Sequence, residues 1–153
     1  MLFRKLGPPE RNALIARAHM RRFDAGETIF LMGTLHDSMI AVLNGEVRIS
    51  VPSAEGKEVM LAIVHAGEVF GEIAMLDGKP RSADAKALTD CNLAILDRRD
   101  VLAVLERNPI AWLGLVEVLC SRLRQTDQHL VEVALLGCTR SDGKSYRGAT
   151  IAV

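Results

Sequence analysis

The segment at residues 70–87, FGEIAMLDGKPRSADAKA, combines charged side chains that can bind a ligand with an unusual number of small residues. Small residues allow the backbone to approach a ligand closely, so that its N–H groups can point at oxygen atoms. The guanidinium of Arg81 is a planar fork that matches the free oxygens of a phosphate, and the hydroxyl of Ser82 adds a further donor. The segment therefore has the composition of an anion-binding site.

Glu72 indicates that the same ligand carries a second kind of polar group. A carboxylate repels a phosphate, so Glu72 requires a hydrogen-bond donor, and a sugar hydroxyl supplies one. A phosphate and a hydroxyl-bearing sugar together describe a nucleotide. The alternative is a plain ion pair between Glu72 and Arg81 in a surface turn, which is a common arrangement for two such residues.

The chain around this segment predicts a small antiparallel β structure. Over residues 26–96, apolar stretches of roughly four to seven residues alternate with glycine and other turn residues. The Asn-Gly pair at 44–45 is a strong hairpin signal, and the PSAEGK turn at 52–57 predicts a second hairpin. Together with a short N-terminal helix over residues 8–22, this pattern predicts a β-roll, that is, a jelly-roll-like barrel.

Two further helices are predicted after the barrel. Asp97 can cap the first of them, and Pro109 ends it. The second covers residues 111–136 and carries a stripe of residues at alternating steps of three and four. The members of this stripe, called the seam here, are Val116, Leu119, Leu123, Thr126, Leu130 and Val133. Such a seam predicts a parallel homodimer through this helix, although packing of the helix on its own barrel is the alternative.

Residues 70–74 and 80–83, FGEIA and PRSA, resemble the phosphate-binding cassette of cyclic-nucleotide-binding domains. The pattern of that cassette is F-G-E-[IL]-A, a short spacer, and P-R-[ST]-A, which is far more specific than a single glycine-rich loop. The resemblance extends over about residues 10–135. The segment RLRQTD at 122–127 resembles the catabolite-activator branch of the family. The resemblance implies a mainly β fold with flanking helices, of which the long C-terminal helix makes a dimer.

The resemblance also implies roles for individual cassette residues. Gly71 and Ala83 would allow close approach of the backbone, and Glu72 would accept a hydrogen bond from the ribose 2′-hydroxyl. Arg81 and Ser82 would hold the cyclic phosphate. The complete set of candidate ligand-binding residues is Gly71, Glu72, Ile73, Ala74, Arg81, Ser82, Ala83, Thr126 and Asp127.

The last two of these residues lie on the long helix and concern the base. Thr126 would contact adenine, which implies cyclic AMP as the ligand, with cyclic GMP as the other nucleotide to consider. The alternative for Thr126 is a polar seam residue that only sets the register of the helices. Asp127 stands where relatives that respond to cyclic AMP carry a serine. A carboxylate there can accept the adenine amino proton but must itself be paired or solvated.

The bulk composition excludes several classes of protein. The chain has 153 residues, no formal net charge and 49% hydrophobic residues, which is typical of one globular domain without a general affinity for nucleic acid or membranes. The N-terminus lacks the apolar core of a secretory signal, and no apolar run could span a bilayer. Cys91, Cys120 and Cys138 are widely spaced, which predicts reduced thiols in a cytoplasmic protein.

The remaining signals argue against catalysis and against DNA binding. The histidines lack metal-ligand spacing and no nucleophile–base pair is evident, so no enzyme activity, metal or cofactor is predicted. The domain is expected over residues 1–136. Residues 137–153 are expected to form an irregular tail that is too short for a helix-turn-helix domain, so this chain alone should not bind DNA.

The sequence therefore predicts a regulatory module that binds a cyclic nucleotide and signals through a dimerising C-terminal helix. Two alternatives remain. The chain could be the sensor part of a DNA-binding transcription regulator whose helix-turn-helix domain it lacks, or it could sense an effector that is not a nucleotide.

Overall fold

Two four-stranded antiparallel sheets form the centre of the described part of the chain. The computed structural model describes the backbone of residues 6–140 and the side chains of residues 6–136. The strands are β1 (His19–Phe23), β2 (Thr28–Phe30), β3 (Met39–Asn44), β4 (Val47–Pro52), β5 (Glu58–Val64), β6 (Val69–Phe70), β7 (Asp84–Ala87) and β8 (Cys91–Leu96). The helices are α1 (Pro8–Arg17), α2 (Glu72–Asp77), α3 (Arg98–Arg107) and α4 (Pro109–Arg140). This arrangement confirms the predicted β-roll with flanking helices.

The sheets have the strand orders β1-β8-β3-β6 and β2-β7-β4-β5, so neighbouring strands are mostly distant in sequence. β3 is buried on both faces because Ile40 and Val42 point toward the second sheet, whereas Met39 and Ala41 point toward the helices. A strand covered on both sides needs a continuous apolar run rather than alternation. The fold thus has two layers of core, one between the sheets and one between the first sheet and the helices.

The predicted hairpin at residues 44–45 is wrong, because β3 and β4 lie in different sheets. The Asn-Gly turn instead carries the chain from one sheet to the other, and Gly45 adopts the left-handed φ of 90° that the turn requires. The second predicted hairpin is confirmed: β4 and β5 pair from Val47↔Val64 to Pro52↔Glu58.

The predicted N-terminal helix over residues 8–22 is wrong in its last third, residues 18–22. α1 ends at Arg17, and the chain becomes extended at Ala18. The following residues form β1, which pairs with β8 from His19↔Ile95 to Phe23↔Cys91. Most β1 side chains are exposed, so their pattern carries little signal, and pairing with β8 overrides the local helical preference.

The two C-terminal helices follow one another across Asn108. Asp97 is the N-cap residue of α3, where its carbonyl accepts from the N–H groups of Asp100 and Val101, but its carboxylate makes no capping hydrogen bond. Pro109, predicted to end the first helix, is the first residue of α4, a position at which proline is favoured. α4 continues to Arg140, so residues 137–140 of the predicted tail are helical. The rest of that tail, residues 141–153, lies outside the described residues.

α4 packs into the core through its first turns, and further along it contacts the roll through Arg122 and His129. Ala111 and Leu115 are buried in the core beneath it, whereas the apolar seam residues Leu123 and Leu130 are exposed on the single chain. None of the helices within residues 6–140 is long and apolar enough to cross a membrane.

Candidate functional site

The predicted anion-binding segment begins where β6 ends, and it contains the short helix α2 where the sequence predicted only a connection. Gly71 follows β6 with φ of 78°, and α2 begins at the next residue. A Cβ atom on Gly71 would lie 2.7 Å from Nη1 of Arg81 and 3.1 Å from the carbonyl oxygen of Ser38. Glycine is therefore required here both by the left-handed backbone and by the close approach of Arg81.

The cassette residues line one cavity at the side of the roll that faces α4. Its lining consists of Phe30, Ile49, Phe70, Gly71, Glu72, Ile73, Ala74, Arg81, Ser82, Ala83 and Arg122. Every candidate residue from the cassette is thus part of a single wall. Ser82 and Ile73 are exposed at its rim, and Ala74 and Ala83 are buried. The small side chains leave the backbone accessible to a ligand at this wall.

Arg81 lines the cavity and is only 3% exposed. Its Nη1 donates to the carbonyl of Gly71 and its Nη2 donates to Oγ of Ser38, each at 3.1 Å. The guanidinium lies 4.3 Å from the centre of the Phe30 ring, within the range of a cation–π interaction. Its Nε is buried and has no hydrogen-bond partner among the described residues.

Two opposing effects act on the pKa of Arg81. Burial lowers the pKa of Arg81, whereas the nearby carboxylates of Asp37 and Glu72 raise it. An arginine guanidinium remains protonated in proteins, so this side chain is a buried cation with part of its donor capacity unused. Such a group can bind an anion strongly, because little water competes for it.

Glu72 is the buried anion of the cavity and is 1% exposed. Its Oε1 accepts a hydrogen bond from Nε of Arg122, whereas its Oε2 is buried without a partner among the described residues. Arg122 also donates from Nη2 to the carbonyl of Val69 at 2.5 Å. Glu72 therefore has one oxygen in an ion pair and one oxygen free to accept from a ligand.

Arg122 lines the cavity but is not among the candidate residues predicted from the sequence. The predicted seam lies on an adjacent face of α4. A second stripe with steps of three and four, namely Val118, Arg122, Gln125 and His129, marks the side that faces the roll. His129 supports this assignment, since its Nε2 lies 3.3 Å from the carbonyl of Leu61 on β5. A cation within that stripe was the signal that could have identified Arg122.

The two candidate residues from the long helix do not line the cavity within one chain. Thr126 is exposed, and its Oγ1 donates to the carbonyl of Arg122 at 3.0 Å, as a threonine within a helix often does. Asp127 is partly exposed. Their contact with a base remains a prediction. Across residues 6–136, no cluster of three or more histidine, cysteine or acidic side chains could hold a metal ion.

The comparison with known families agrees with this geometry. A family model described as the cyclic nucleotide-binding domain matches residues 20–108, which include the whole cassette. The chain belongs to this family. The curated relatives of the domain include the cyclic AMP receptor protein of Thermus thermophilus, which is 36% identical over 129 residues. That alignment covers 84% of this chain and 60% of the relative, so the chain spans about three fifths of that protein's length.

Solved structures of the family have the same architecture. The catabolite activator protein of Thermus thermophilus is 35% identical and superposes with a TM-score of 0.76, covering 87% of this chain and 62% of that chain. The sensor domain of the transcriptional regulator DNR from Pseudomonas aeruginosa is 26% identical with a TM-score of 0.70, covering 83% of this chain and 85% of that chain. The domain described here therefore has the architecture of the sensor part of such regulators.

Proposed function

We propose that this domain binds a cyclic nucleotide, cyclic AMP in preference to cyclic GMP, in the cavity between the cassette and α4. The observation that carries the proposal is the pair of buried charges, Arg81 and Glu72, which line one cavity and each retain an unused polar atom. A buried polar atom without a partner is costly, and a ligand that satisfies it recovers that free energy.

The charge of the cavity suits a singly charged anion. Arg81 and Arg122 contribute two positive charges and Glu72 contributes one negative charge. A cyclic phosphodiester carries one negative charge, so the ligand would neutralise the excess. The fork of Arg81 and the hydroxyl of Ser82 would bind the phosphate oxygens, and Oε2 of Glu72 would accept from the ribose 2′-hydroxyl.

Two points favour cyclic AMP as the ligand. They are the similarity to a cyclic AMP receptor protein and the presence of Thr126 on α4. The cyclic AMP receptor protein of Thermus thermophilus shares more than a third of the aligned residues. Thr126 and Asp127 would reach the base once α4 is paired with a second helix. Asp127 would accept from the adenine amino group, which guanine lacks at the corresponding position.

The output of the domain would pass through α4 as a parallel dimer. The seam residues Val116, Leu123, Leu130 and Val133 are exposed on the single chain, although large apolar side chains at regular spacing favour burial. A second copy of α4 would cover both rows of the seam. Since Arg122 joins the cavity to the same helix, ligand binding could bias how the two helices pack.

The relatives favour a second, broader proposal about the whole protein. The Mycobacterium tuberculosis relative is a CRP-like cAMP-activated global transcriptional regulator, 27% identical, and the alignment covers 59% of it. We therefore propose that the module serves as the sensor of a transcriptional response. The present chain alone should give no sequence-specific shift of DNA in a mobility assay, with or without cyclic AMP.

Calorimetric titration with cyclic AMP and cyclic GMP tests the proposed ligand. Arg81→Ala removes a desolvated partner of the phosphate, which costs about 2–5 kcal/mol and so weakens binding by roughly thirtyfold to several thousandfold. Arg124→Ala is the matched control, because this arginine is exposed on α4 and lies outside the cavity. Equal affinity of the parent and Arg81→Ala for cyclic AMP, with both proteins folded, would contradict the proposal.

A further inference from the structure

The connection between β2 and β3, residues 31–38, contacts Arg81 both at its backbone and at its side chain. The N–H of Gly33 donates to the carbonyl of Arg81 at 2.8 Å, and the N–H of Arg81 donates to the carbonyl of Thr34 at 2.9 Å. At the end of the connection, Oγ of Ser38 accepts from Nη2 of Arg81. A segment outside the cassette therefore holds the arginine that is proposed to bind the phosphate.

Ser38 is the buried link in this arrangement and is 2% exposed. Its Oγ lies 3.1 Å from Nη2 of Arg81 on one side and 3.0 Å from Nδ1 of His36 on the other. These hydrogen bonds, from Arg81 through Ser38 to His36, are called the relay here. The relay connects an exposed histidine to a buried guanidinium.

The direction of the two bonds follows from what each group can donate. A guanidinium has no acceptor, so Ser38 must accept from Arg81. The hydroxyl hydrogen of Ser38 is then left for a second partner, and an unprotonated Nδ1 of His36 can accept it. Both bonds of the relay thus run in the same direction, and bonds in such a series strengthen one another. With a proton on Nδ1, Oγ would instead accept from both neighbours, and each bond would be weaker.

We propose that His36 and Ser38 are positioning residues of the ligand site, because they hold the guanidinium of Arg81 in the orientation that binds the phosphate. Neither residue lines the cavity, so both act through Arg81 rather than on the ligand. A proton on Nδ1 of His36 would reverse its bond to Ser38 and loosen Arg81. The inference rests on the proposed function, and it adds two residues that belong neither to the cassette nor to α4.

The charges around the relay decide how binding changes with pH. Asp37 and Glu72 act electrostatically on Arg81, and Asp84 on β7 accepts a backbone hydrogen bond from the same connection. Carboxylates in general titrate near about pH 4, so a histidine is the group of this set that changes charge between about pH 7.5 and 6. A protonated His36 would also attract the phosphate, but solvent screens the charge of an exposed side chain. Loss of the relay should therefore dominate, and binding should weaken as the pH falls.

Two substitutions of His36 test its role by calorimetric titration with cyclic AMP. His36→Ala removes the acceptor and should weaken binding by about two- to tenfold near neutral pH. His36→Asn should keep the affinity of the parent, because its amide oxygen can take the place of Nδ1. An amide does not titrate, so the affinity of His36→Asn should stay constant to about pH 6, whereas that of the parent should fall several-fold. His19→Asn is the matched control, since His19 is exposed on β1 outside the cavity, and it should behave as the parent.

A double-mutant cycle separates the relay from a general structural effect. Ser38→Ala removes a hydrogen bond to a charged group and should weaken binding by about tenfold or more. In that background His36→Ala should have no further effect, because His36 reaches Arg81 only through the hydroxyl. Ser38 is buried, so urea unfolding must show that its variant is folded; if it is not, the two His36 variants decide the question.

Three results would overturn the inference. It is wrong if folded His36→Ala binds cyclic AMP as tightly as the parent. It is equally wrong if His36→Asn has the same pH dependence as the parent, or if the losses at His36 and Ser38 add in the double variant.

Nitrogen-15 NMR of the histidine rings tests the relay without any nucleotide. In the parent near neutral pH, His36 should carry its proton on Nε2, and the Nδ1 signal should shift in folded Ser38→Ala because Nδ1 loses its donor. A proton on Nδ1, or an Nδ1 signal that Ser38→Ala leaves unchanged, would refute the relay whether or not the domain binds a nucleotide. A parent that shows the expected signals but binds no cyclic nucleotide would refute the proposed function and retain the relay as the contact that orients Arg81.

Discussion

At the scale of single residues, the site depends on placing a buried guanidinium against backbone that no side chain obstructs. Gly71→Ala tests this arrangement, because the new Cβ would lie 2.7 Å from Nη1 of Arg81 and must displace it. Gly78→Ala is the matched control, since Gly78 has a similar φ of 69° but nothing within 4 Å of the added Cβ. Both changes should destabilise the fold by about 1–2 kcal/mol through the left-handed backbone.

Only Gly71→Ala should also weaken cyclic AMP binding, because only it moves Arg81. Urea unfolding gives the stability of the two variants, and calorimetric titration gives their affinity. Equal losses of affinity in both variants would show that the effect comes from backbone strain in α2 rather than from the position of Arg81.

Recognition of the sugar is a second prediction at this scale. A hydrogen bond to a charged group contributes about 1.5–3 kcal/mol, so 2′-deoxy cyclic AMP should bind the parent at least about tenfold more weakly than cyclic AMP. Glu72→Ala should bind the two nucleotides almost equally, because the acceptor is missing. Competition titrations measure this ratio directly. A parent that does not distinguish the nucleotides would remove Glu72 from the ribose contact.

The sequence predicted the cassette residues but missed Arg122, and the reason is physical. Arg81 and Glu72 lie within one short segment whose spacing is itself a signal, whereas Glu72 and Arg122 are joined only by the folded chain. A contact between distant segments leaves no local pattern, and an arginine on a long helix is usually solvated. Only the orientation of α4 on the roll identifies the face that carries Arg122.

At the scale of elements, the strands were predictable where one face is buried and poorly predictable elsewhere. The β4–β5 hairpin followed from its alternation and its turn, and the structure contains it. β1 carries mostly exposed side chains, so residues 19–22 resembled a continuation of α1. The turn at residues 44–45 was recognised, but the partner of each strand depends on long-range pairing that a local turn signal does not contain.

Helix α4 combines two functions along its length, which leads to a prediction. Leu115 is 1% exposed and belongs to the core beneath the helix, whereas Leu113 is 54% exposed on the same turn. Leu115→Ala should destabilise the protein by about 2–5 kcal/mol, because a buried leucine leaves a cavity. Leu113→Ala should change the stability by less than about 1 kcal/mol. Urea unfolding measures both, and similar values would show that the first turns of α4 are not part of the core.

At the scale of the whole molecule, the domain has a buried core, yet a long row of apolar side chains on α4 is exposed. Leu123 and Leu130 are more than half exposed on the single chain, and the seam continues to Val133. A helix that packs only on its own roll needs a single apolar face, so that packing does not explain the exposed seam. The second stripe of α4, which contains Arg122 and His129, already contacts the roll, so the seam is available for a partner.

The last prediction concerns this partner. Leu123→Glu would bring two carboxylates together in a buried parallel seam, where like charges repel and lose their hydration, so the variant should be a monomer. Gln128→Glu is the matched control, because Gln128 is exposed on the side of the helix opposite both seam rows, so that the variant carries the same added charge and should remain a dimer. Light scattering on both variants and on the parent measures the mass directly. Leu123→Glu should keep the cassette folded but bind cyclic AMP more weakly, since Thr126 would no longer be held at the base. A parent that is monomeric at micromolar concentration, with and without cyclic AMP, would exclude the dimer and leave Thr126 as an exposed helix residue.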